Sequence, residues 1–441
     1  MTINPKKIII ILLIGIAVLS LIILIKRLPI SAPILKKDIT LTYWGLWEAD
    51  NVMQPLLDEY KKSHPNITVK YSKQSPIEYR ERLQNAIEKG TGPDIFRFHN
   101  TWYPMLRNEL SNAPPNIVSV ETFINNFYPI AEKNLVAGGK IYGIPLEVDS
   151  LALFYNEDIF QKAGYNPPTT WEELRRVANG LTVKDSDGRI KIAGAALGTA
   201  GNIDHFSDIL GIMFLQNGTD MTKVASTIGS DGHNLGEDTL RFYTNFSVLD
   251  KVWDETLDRS TVSFAGGKVA MYFGPSWEVF EIKNLNPELR FKVVPIPQLP
   301  RKNLNWATYW AEGVSIKSKY KNESWELLNF LSSKESLMKL YDNASKIRLF
   351  GEPYSRVDLE NTIKSDPMVY PFISQVKNST SWYLSSRTFD NGLNDKMIKY
   401  FEDAVNSINS GEEVIKALQT AEKGVGQVLS QYQNSENTAK P

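Results

Sequence analysis

Apolar and polar residues alternate in short segments over residues 39 to 98, and helical periodicity separates these segments. The alternation predicts strands at "ITLTYW", "NITVKYS" and "PDIFRF". Between them, apolar residues recur every three or four positions in "DNVMQPLLDEYKKSHP" and "IEYRERLQNAIEKG", which predicts two helices. This strand and helix order indicates parallel strands joined by right-handed crossovers. Ligands bind such sheets at the carboxyl ends of the strands.

The remainder of the chain repeats this mixture of strands and helices. "KIYGIPLEVDSLALFYN" and "KVAMYF" have strand patterns, and so does "IKIAGAALG". "DHFSDILGIMFLQ" has a helical pattern, and Thr170 and Glu173 have the spacing of a capping box at the start of another helix. Further helices are predicted at residues 322–343, 393–407 and 411–431. An α/β fold is therefore predicted. The chain has 441 residues, more than a single hydrophobic core usually contains, which implies two lobes.

The N-terminus contains a long uncharged apolar run, "IIIILLIGIAVLSLIILI", at residues 8–25. As a helix it would be about 27 Å long, close to the hydrocarbon thickness of a bilayer, so a transmembrane helix is predicted. Lys26 and Arg27 follow directly, and the nearest small-residue site is followed by Pro33, which favours a retained anchor over a cleaved signal peptide. Residues 28–37 are predicted to be a spacer. Basic residues lie on both sides of the apolar run, so the positive-inside rule leaves its orientation open, and the following domain is expected on the extracytoplasmic side of the cell membrane.

Composition and charge exclude several classes of function. Residues 1–37 hold six basic side chains and no acid, so the rest holds 43 basic and 50 acidic side chains, a net charge of -7. This mildly acidic part makes nucleic acid an unsuitable partner. Cysteine is absent, which removes disulfides, thiolate nucleophiles and attachment of a lipid to cysteine. The four histidines lack the spacing of metal ligands, so no metal or cofactor is expected.

Four aromatic turns follow or begin the apolar strands, and polar residues lie beside them. One face of a sugar ring is apolar and can stack on an indole, whereas its hydroxyl groups need carboxylates and amides. One stacked ring that buries about 50 Å² is worth only about 1.3 kcal/mol, so micromolar binding needs several such contacts and charged hydrogen bonds. The candidate ligand-binding residues are Trp44, Trp47, Glu48, Asn100, Trp102, Asp149, Trp277, Tyr309, Trp310 and Trp382.

Other interpretations of these residues stay open. A tryptophan is often a core residue, and this alternative holds for each indole taken singly. Glu147 and Asp149 share one face of a strand, as the paired acids of a glycosidase would, but acids two residues apart are common. We therefore expect Asp149 to accept hydrogen bonds from a ligand, and we expect no enzyme activity. Trp382 lies in a polar loop, where binding residues are frequent.

Six segments, in this order, resemble the family-1 extracellular solute-binding proteins of ABC importers, and the maltodextrin-binding type most of all. They are "ITLTYWGLWE", "GTGPDIFRF", "KIYGIPLEVDSLALFYNEDIFQKAG", "PPTTWEEL", "SFAGGKVAMYFGPSW" and "YWAEGVSI". The resemblance covers residues 38–435 and implies the two-lobed, type II fold of periplasmic binding proteins. It implies a first lobe at 38–145 with 312–348, a second at 146–311 with 349–435, and a tail at 436–441.

The resemblance also implies a function and a site. Trp277, in the "GPSW" turn, would stack on a sugar, and Asp149 and the segment from Trp44 to Glu48 would line the cleft. Tyr309 and Trp310 would lie where the chain crosses between lobes. The implied partners are a sugar and the permease subunits of an ABC transporter, and a monomer is expected. The alternatives are a glycoside hydrolase and a surface module that binds peptides or cell-wall material.

Overall fold

The computed structural model describes residues 5–27 and 37–433. The predicted tail, and the predicted spacer apart from its last residue, lie outside the described residues. The strands are β1 (Ile39–Gly45), β2 (Ile67–Lys73), β3 (Ile95–His99), β4 (Leu110–Ser111), β5 (Val136–Ala137), β6 (Lys140–Ile141), β7 (Ile144–Pro145), β8 (Asp149–Ser150), β9 (Ala152–Asn156), β10 (Val183–Lys184), β11 (Ile190–Ile192), β12 (Met271–Gly274), β13 (Phe291–Val294), β14 (Asn305–Thr308), β15 (Trp310–Ser315) and β16 (Ser379–Thr380).

The helices range from one turn to six turns, and a 3-10 helix lies at Val357–Ile363. They are α1 (Pro5–Arg27), α2 (Asp50–Ser63), α3 (Tyr79–Glu88), α4 (Tyr103–Leu106), α5 (Val120–Asn126), α6 (Pro129–Leu135), α7 (Glu157–Ala163), α8 (Trp171–Leu181), α9 (Phe206–Asn217), α10 (Leu235–Val248), α11 (Ser260–Ala265), α12 (Glu278–Leu285), α13 (Lys321–Leu331), α14 (Lys334–Ser345), α15 (Tyr370–Val376), α16 (Leu393–Asn409) and α17 (Val414–Gln433).

The first sheet contains the predicted parallel unit. β1 lies between β2 and β3 and pairs in parallel with both. β15 adds to β3 in the antiparallel direction and also pairs with β4 and β7, giving the order β2-β1-β3-β15-β4. Val52, Leu56 and Tyr60 form the buried face of α2, as their spacing predicts. The strand and helix order of residues 39–98 is therefore confirmed.

Two sheets of three strands follow, in the orders β12-β9-β13 and β16-β14-β8. The first is antiparallel, whereas the second is mixed, because β14 pairs with β16 in parallel and with β8 in the antiparallel direction. Three connections join them to the first sheet. The first runs from β7 to β8 and the second passes through Tyr309 between β14 and β15. The third, residues 350–356, bridges to the first connection, because the amide of Val148 donates to the carbonyl of Pro353 at 3.0 Å.

Two predicted elements differ from the structure. Only Ile190–Ile192 of "IKIAGAALG" forms a strand, because the following residues pack closely on α8, where a Cβ at Gly194 would collide with the carbonyl of Ala178. The predicted helix at 322–343 is two helices. α13 ends at Leu331, and Ser333 caps a new helix, α14, by accepting the amide of Ser336 at 3.2 Å. The predicted cap of α8 is present, since the Thr170 hydroxyl accepts the amide of Glu173 at 3.2 Å.

The N-terminal helix α1 includes the apolar run at residues 8–25. Among residues 5–27 and 37–433, none of the helices has both the length and the apolar character required for a membrane span. The transmembrane helix predicted at residues 8–25 is therefore not confirmed.

Candidate functional site

Trp310, at the start of β15, is the centre of an aromatic cluster. Its ring lies edge-on to Trp47 at 5.4 Å, to Trp102 at 5.2 Å and to His99 at 5.1 Å between centroids. Trp47 and Trp310 retain exposed surface, whereas Trp102 has none. Trp102 therefore supports the cluster from beneath, and we correct its expected place at the surface of the site.

The turn that follows β1 brings Trp47 to this cluster. Tyr71 on β2 lies directly over Gly45, where any Cβ would collide with its ring and hydroxyl. The Tyr71 hydroxyl donates to the carbonyl of Glu48 at 2.9 Å. Glycine at position 45 is therefore required for β2 to fix the turn that carries Trp47. Trp44 is half-buried on β1.

Asn100 and Tyr309 tie the end of β3 to the crossing between β14 and β15. The Asn100 amide donates to the Tyr309 carbonyl at 3.0 Å, and the Asn100 side-chain oxygen accepts the Tyr309 amide at 3.2 Å. The Asn100 side-chain nitrogen donates to Asn134 and Ser381, both at 3.1 Å. Tyr309 and Asn100 are buried, so their interactions position the crossing rather than form an open surface. Trp382, beside Ser381, is half-buried against Tyr383.

Asp149 holds the turn that carries Trp277. Its carboxylate accepts the amide of Ser276 at 2.9 Å, the hydroxyl of Ser276 at 2.7 Å and the amide of Ser150 at 2.7 Å. Burial raises the pKa of Asp149 to about 7, against the effect of these hydrogen bonds. The expected role of Asp149 as a ligand acceptor is thus unsupported in this arrangement, because its oxygens are already engaged with the protein.

Trp277 is half-exposed at the N-terminus of α12, above a group of buried charges. The Arg387 guanidinium lies over its ring at 5.0 Å from the centroid, and the His205 ring lies edge-on at 5.5 Å. His205 Nε2 lies 2.8 Å from Glu278 Oε1, and its Nδ1 lies 3.5 Å from Asp208 Oδ2. Although burial alone would lower it, hydrogen bonds with Asp208 and Glu278 raise the pKa of His205 to about 9. The indole therefore rests on a charged imidazolium network.

A second group of buried charges lies behind the Trp47 turn. The Arg97 guanidinium forms an ion pair with Glu48 and donates from Nε to Glu312 at 2.6 Å. Its Nη1 also lies 3.9 Å from Glu147. Glu48 is 4% exposed, so it is a partner of Arg97 and not the open hydroxyl acceptor that the sequence suggested.

The predicted site residues thus form one connected chain of contacts with two exceptions. Trp47, Trp102 and Trp310 form a cluster, and Asn100 with Tyr309 extends it to β14. Thr308 of β14 pairs with Asp149 of β8, which holds Ser276 and the Trp277 turn. Trp44 and Trp382 lie beside this chain. A surface groove of about 460 Å³ between α10 and α17 is lined by other residues.

Sequence reasoning missed the charged side chains that support the aromatic residues. Arg97 did carry a signal, because it interrupts the apolar strand "IFRF", where an unpaired guanidinium would be costly. His205 and Arg387 carried a weaker signal. Asp208 lies three residues after His205, but Glu278, the other acidic partner of His205, and Asp204, a partner of Arg387, come from distant segments.

The chain belongs to the bacterial extracellular solute-binding protein family, whose profile matches residues 56–367. Among its relatives, a putative binding protein of Brucella abortus is 26% identical over 301 residues, 66% of this chain and 71% of that protein. The maltotriose-binding protein of Pyrococcus abyssi is 22% identical over 342 residues, 74% of this chain and 69% of that protein.

Solved structures establish the same fold. The sugar-binding protein MalE from Xanthomonas citri aligns with a TM-score of 0.72 and 18% identity, covering 91% of this chain and all of that one. The mixed α/β fold of the periplasmic solute-binding proteins is therefore confirmed, as is the resemblance on which the sequence analysis relied.

Proposed function

We propose that this protein binds a carbohydrate outside the cytoplasm and delivers it to an ABC importer. The observation that carries the proposal is a set of partly exposed indoles, those of Trp47, Trp310 and Trp277. The pairing of β14 with β8 links the segments that carry them. Indole faces suit the apolar faces of sugar rings. The names of the relatives, a maltotriose-binding protein and a sugar-binding protein, support the same class of ligand.

We further propose that the fold closes on its ligand as two lobes. The first would comprise 38–145 with 312–348, and the second 146–311 with 349–435. The three connections between the sheets would then form the hinge, and a ligand that contacts both lobes would favour the closed form. The protein would act as a monomer with the permease subunits as its partners.

Replacement of Trp277 with alanine is expected to weaken sugar binding by about tenfold or more, since one stacked ring contributes about 1.3 kcal/mol. Calorimetry against a panel of mono- and oligosaccharides measures the effect. Trp277→Phe is the matched variant and should lose less affinity, because it keeps an aromatic face. Equal affinity of wild type and Trp277→Ala would remove Trp277 from the site. Release of product from a bound oligosaccharide would favour the glycoside hydrolase instead.

We also propose that α1 holds the domain at the membrane. The support is the exposed apolar surface of residues such as Ile11, at 71%, and Leu19, at 61%. Water solvates such a surface poorly. The full chain is expected to sediment with membranes after a carbonate wash, whereas residues 38–441 should stay in the supernatant. Sedimentation of both forms, or of neither, would argue against an anchor in α1.

A further inference from the structure

Three glutamates from separate segments meet behind the Trp47 turn. Glu48 follows β1, Glu147 lies in the connection between β7 and β8, and Glu352 lies in the third connection. One carboxylate oxygen from each lies within 4.8 Å of the other two. The carboxylates are therefore close enough to share one ion.

The charges around these glutamates do not balance. Arg97 pairs with Glu48 and Glu312, and Arg348 donates to Glu352 at 2.6 Å. With Glu147 the group has four carboxylates for two guanidiniums. Such an excess of buried negative charge is costly unless a proton or a cation neutralises it.

A buried oxygen of Glu48 has no hydrogen-bond partner. Glu48 is 4% exposed, and its Oε1 is buried without a hydrogen-bond partner, although its Oε2 pairs with Arg97. Glu312 Oε2 is likewise buried without a partner. Buried carboxylate oxygens normally accept donors or bind cations.

We propose that Glu48, Glu147 and Glu352 form a binding site for a calcium ion. Calcium takes carboxylate oxygens at about 2.3–2.6 Å, so two of its ligand oxygens are at most about 5 Å apart. The oxygens of the three glutamates, all within 4.8 Å of one another, satisfy this limit. Two positive charges would balance the excess of two negative charges. The Glu352 side chain is 15% exposed and gives the ion a route from solvent. The ion would join the turn after β1 to two of the connections between the sheets.

The site is tested on the full chain in detergent, with calcium and magnesium chloride as probes. Dialysed protein should retain about one calcium per chain by elemental analysis, and about 5 mM calcium should raise Tm by about 4 °C over EDTA, with a smaller effect of magnesium. Glu48→Gln and Glu147→Gln should each weaken calcium binding at least tenfold. Glu326→Gln, at an exposed position on α13, is the matched control and should bind as wild type does.

Several results would overturn this site. They are the absence of retained calcium with an unchanged Tm, or calcium binding that persists in the Glu48 and Glu147 variants. The competing explanation is a proton shared by Glu147 and Glu352. In that case Glu147→Gln, which resembles the protonated acid, should leave Tm equal or higher while calcium has no effect on the wild type. If one variant does not fold, Glu352→Gln at the partly exposed edge gives the same comparison. None of these outcomes depends on sugar binding.

Discussion

Replacing Arg97 with alanine is expected to lower the free energy of unfolding by about 3–5 kcal/mol, the largest effect of any single side chain in the site. Arg97 is 1% exposed and is the shared partner of Glu48 and Glu312. Removing it leaves these carboxylates buried and without their cation. Burial already raises the pKa of Glu312, although Arg97 opposes this effect. Without Arg97, the acids must take up protons or open the fold to water.

Urea denaturation of wild type and Arg97→Ala measures this loss. Lys339→Ala is the matched control, because Lys339 also pairs with a glutamate, Glu59, at 2.7 Å, but both side chains are at least 41% exposed. Exposed pairs contribute about 0–1 kcal/mol, so the control should remain close to wild type. A loss below about 1 kcal/mol in Arg97→Ala would show that water or rearrangement already satisfies the buried acids.

The fold was predictable where local periodicity and tertiary structure agree. The strands and helices of residues 39–98 follow from spacing alone, because each helix buries one stripe and each strand one face. The prediction was wrong where packing overrides periodicity. Residues 193–198 continue the apolar run, yet after a single bridge from Ala193 to Val269 they leave the strand, and Gly194 packs on the carbonyl of Ala178 in α8. A contact between two segments is not encoded in either segment alone.

The candidate site was predictable only as a set of turns at the ends of strands. Trp102 and Trp310 both follow this rule, but the first is buried and the second is partly exposed. Whether Trp102 lies beneath Trp310 or the reverse depends on how β3 and β15 pair. These strands are more than 200 residues apart in the sequence. The sequence therefore indicates where aromatic residues collect, whereas their exposure is set by long-range packing.

The two groups of buried charges explain why the exposed indoles can hold fixed orientations. Trp47 lies on a turn whose Glu48 is paired with Arg97, and Trp277 packs against His205 and Arg387. A side chain that is already fixed loses little entropy when a ligand binds. The charged residues would thus contribute to affinity without contacting the ligand.

Stability is expected to fall by roughly 3 kcal/mol between about pH 6.5 and pH 9.5 through His205 alone. Hydrogen bonds with Asp208 and Glu278 raise its pKa to about 9 from an ordinary value of 6.5. A raised pKa means that the folded state holds a proton that the unfolded state releases. The stabilisation is therefore complete below about pH 6.5 and is lost as the pH rises through about 9.

Urea denaturation across this pH range, on wild type and His205→Gln, isolates the contribution of His205. The difference in free energy of unfolding between the two proteins should shrink as the pH rises. His233→Gln is the control, since His233 is 68% exposed. The pKa of Asp149, raised to about 7, affects both proteins equally, and burial lowers the pKa of His99 to about 3, so its effect is confined to lower pH. Parallel pH profiles for wild type and His205→Gln would mean that His205 is neutral beneath Trp277.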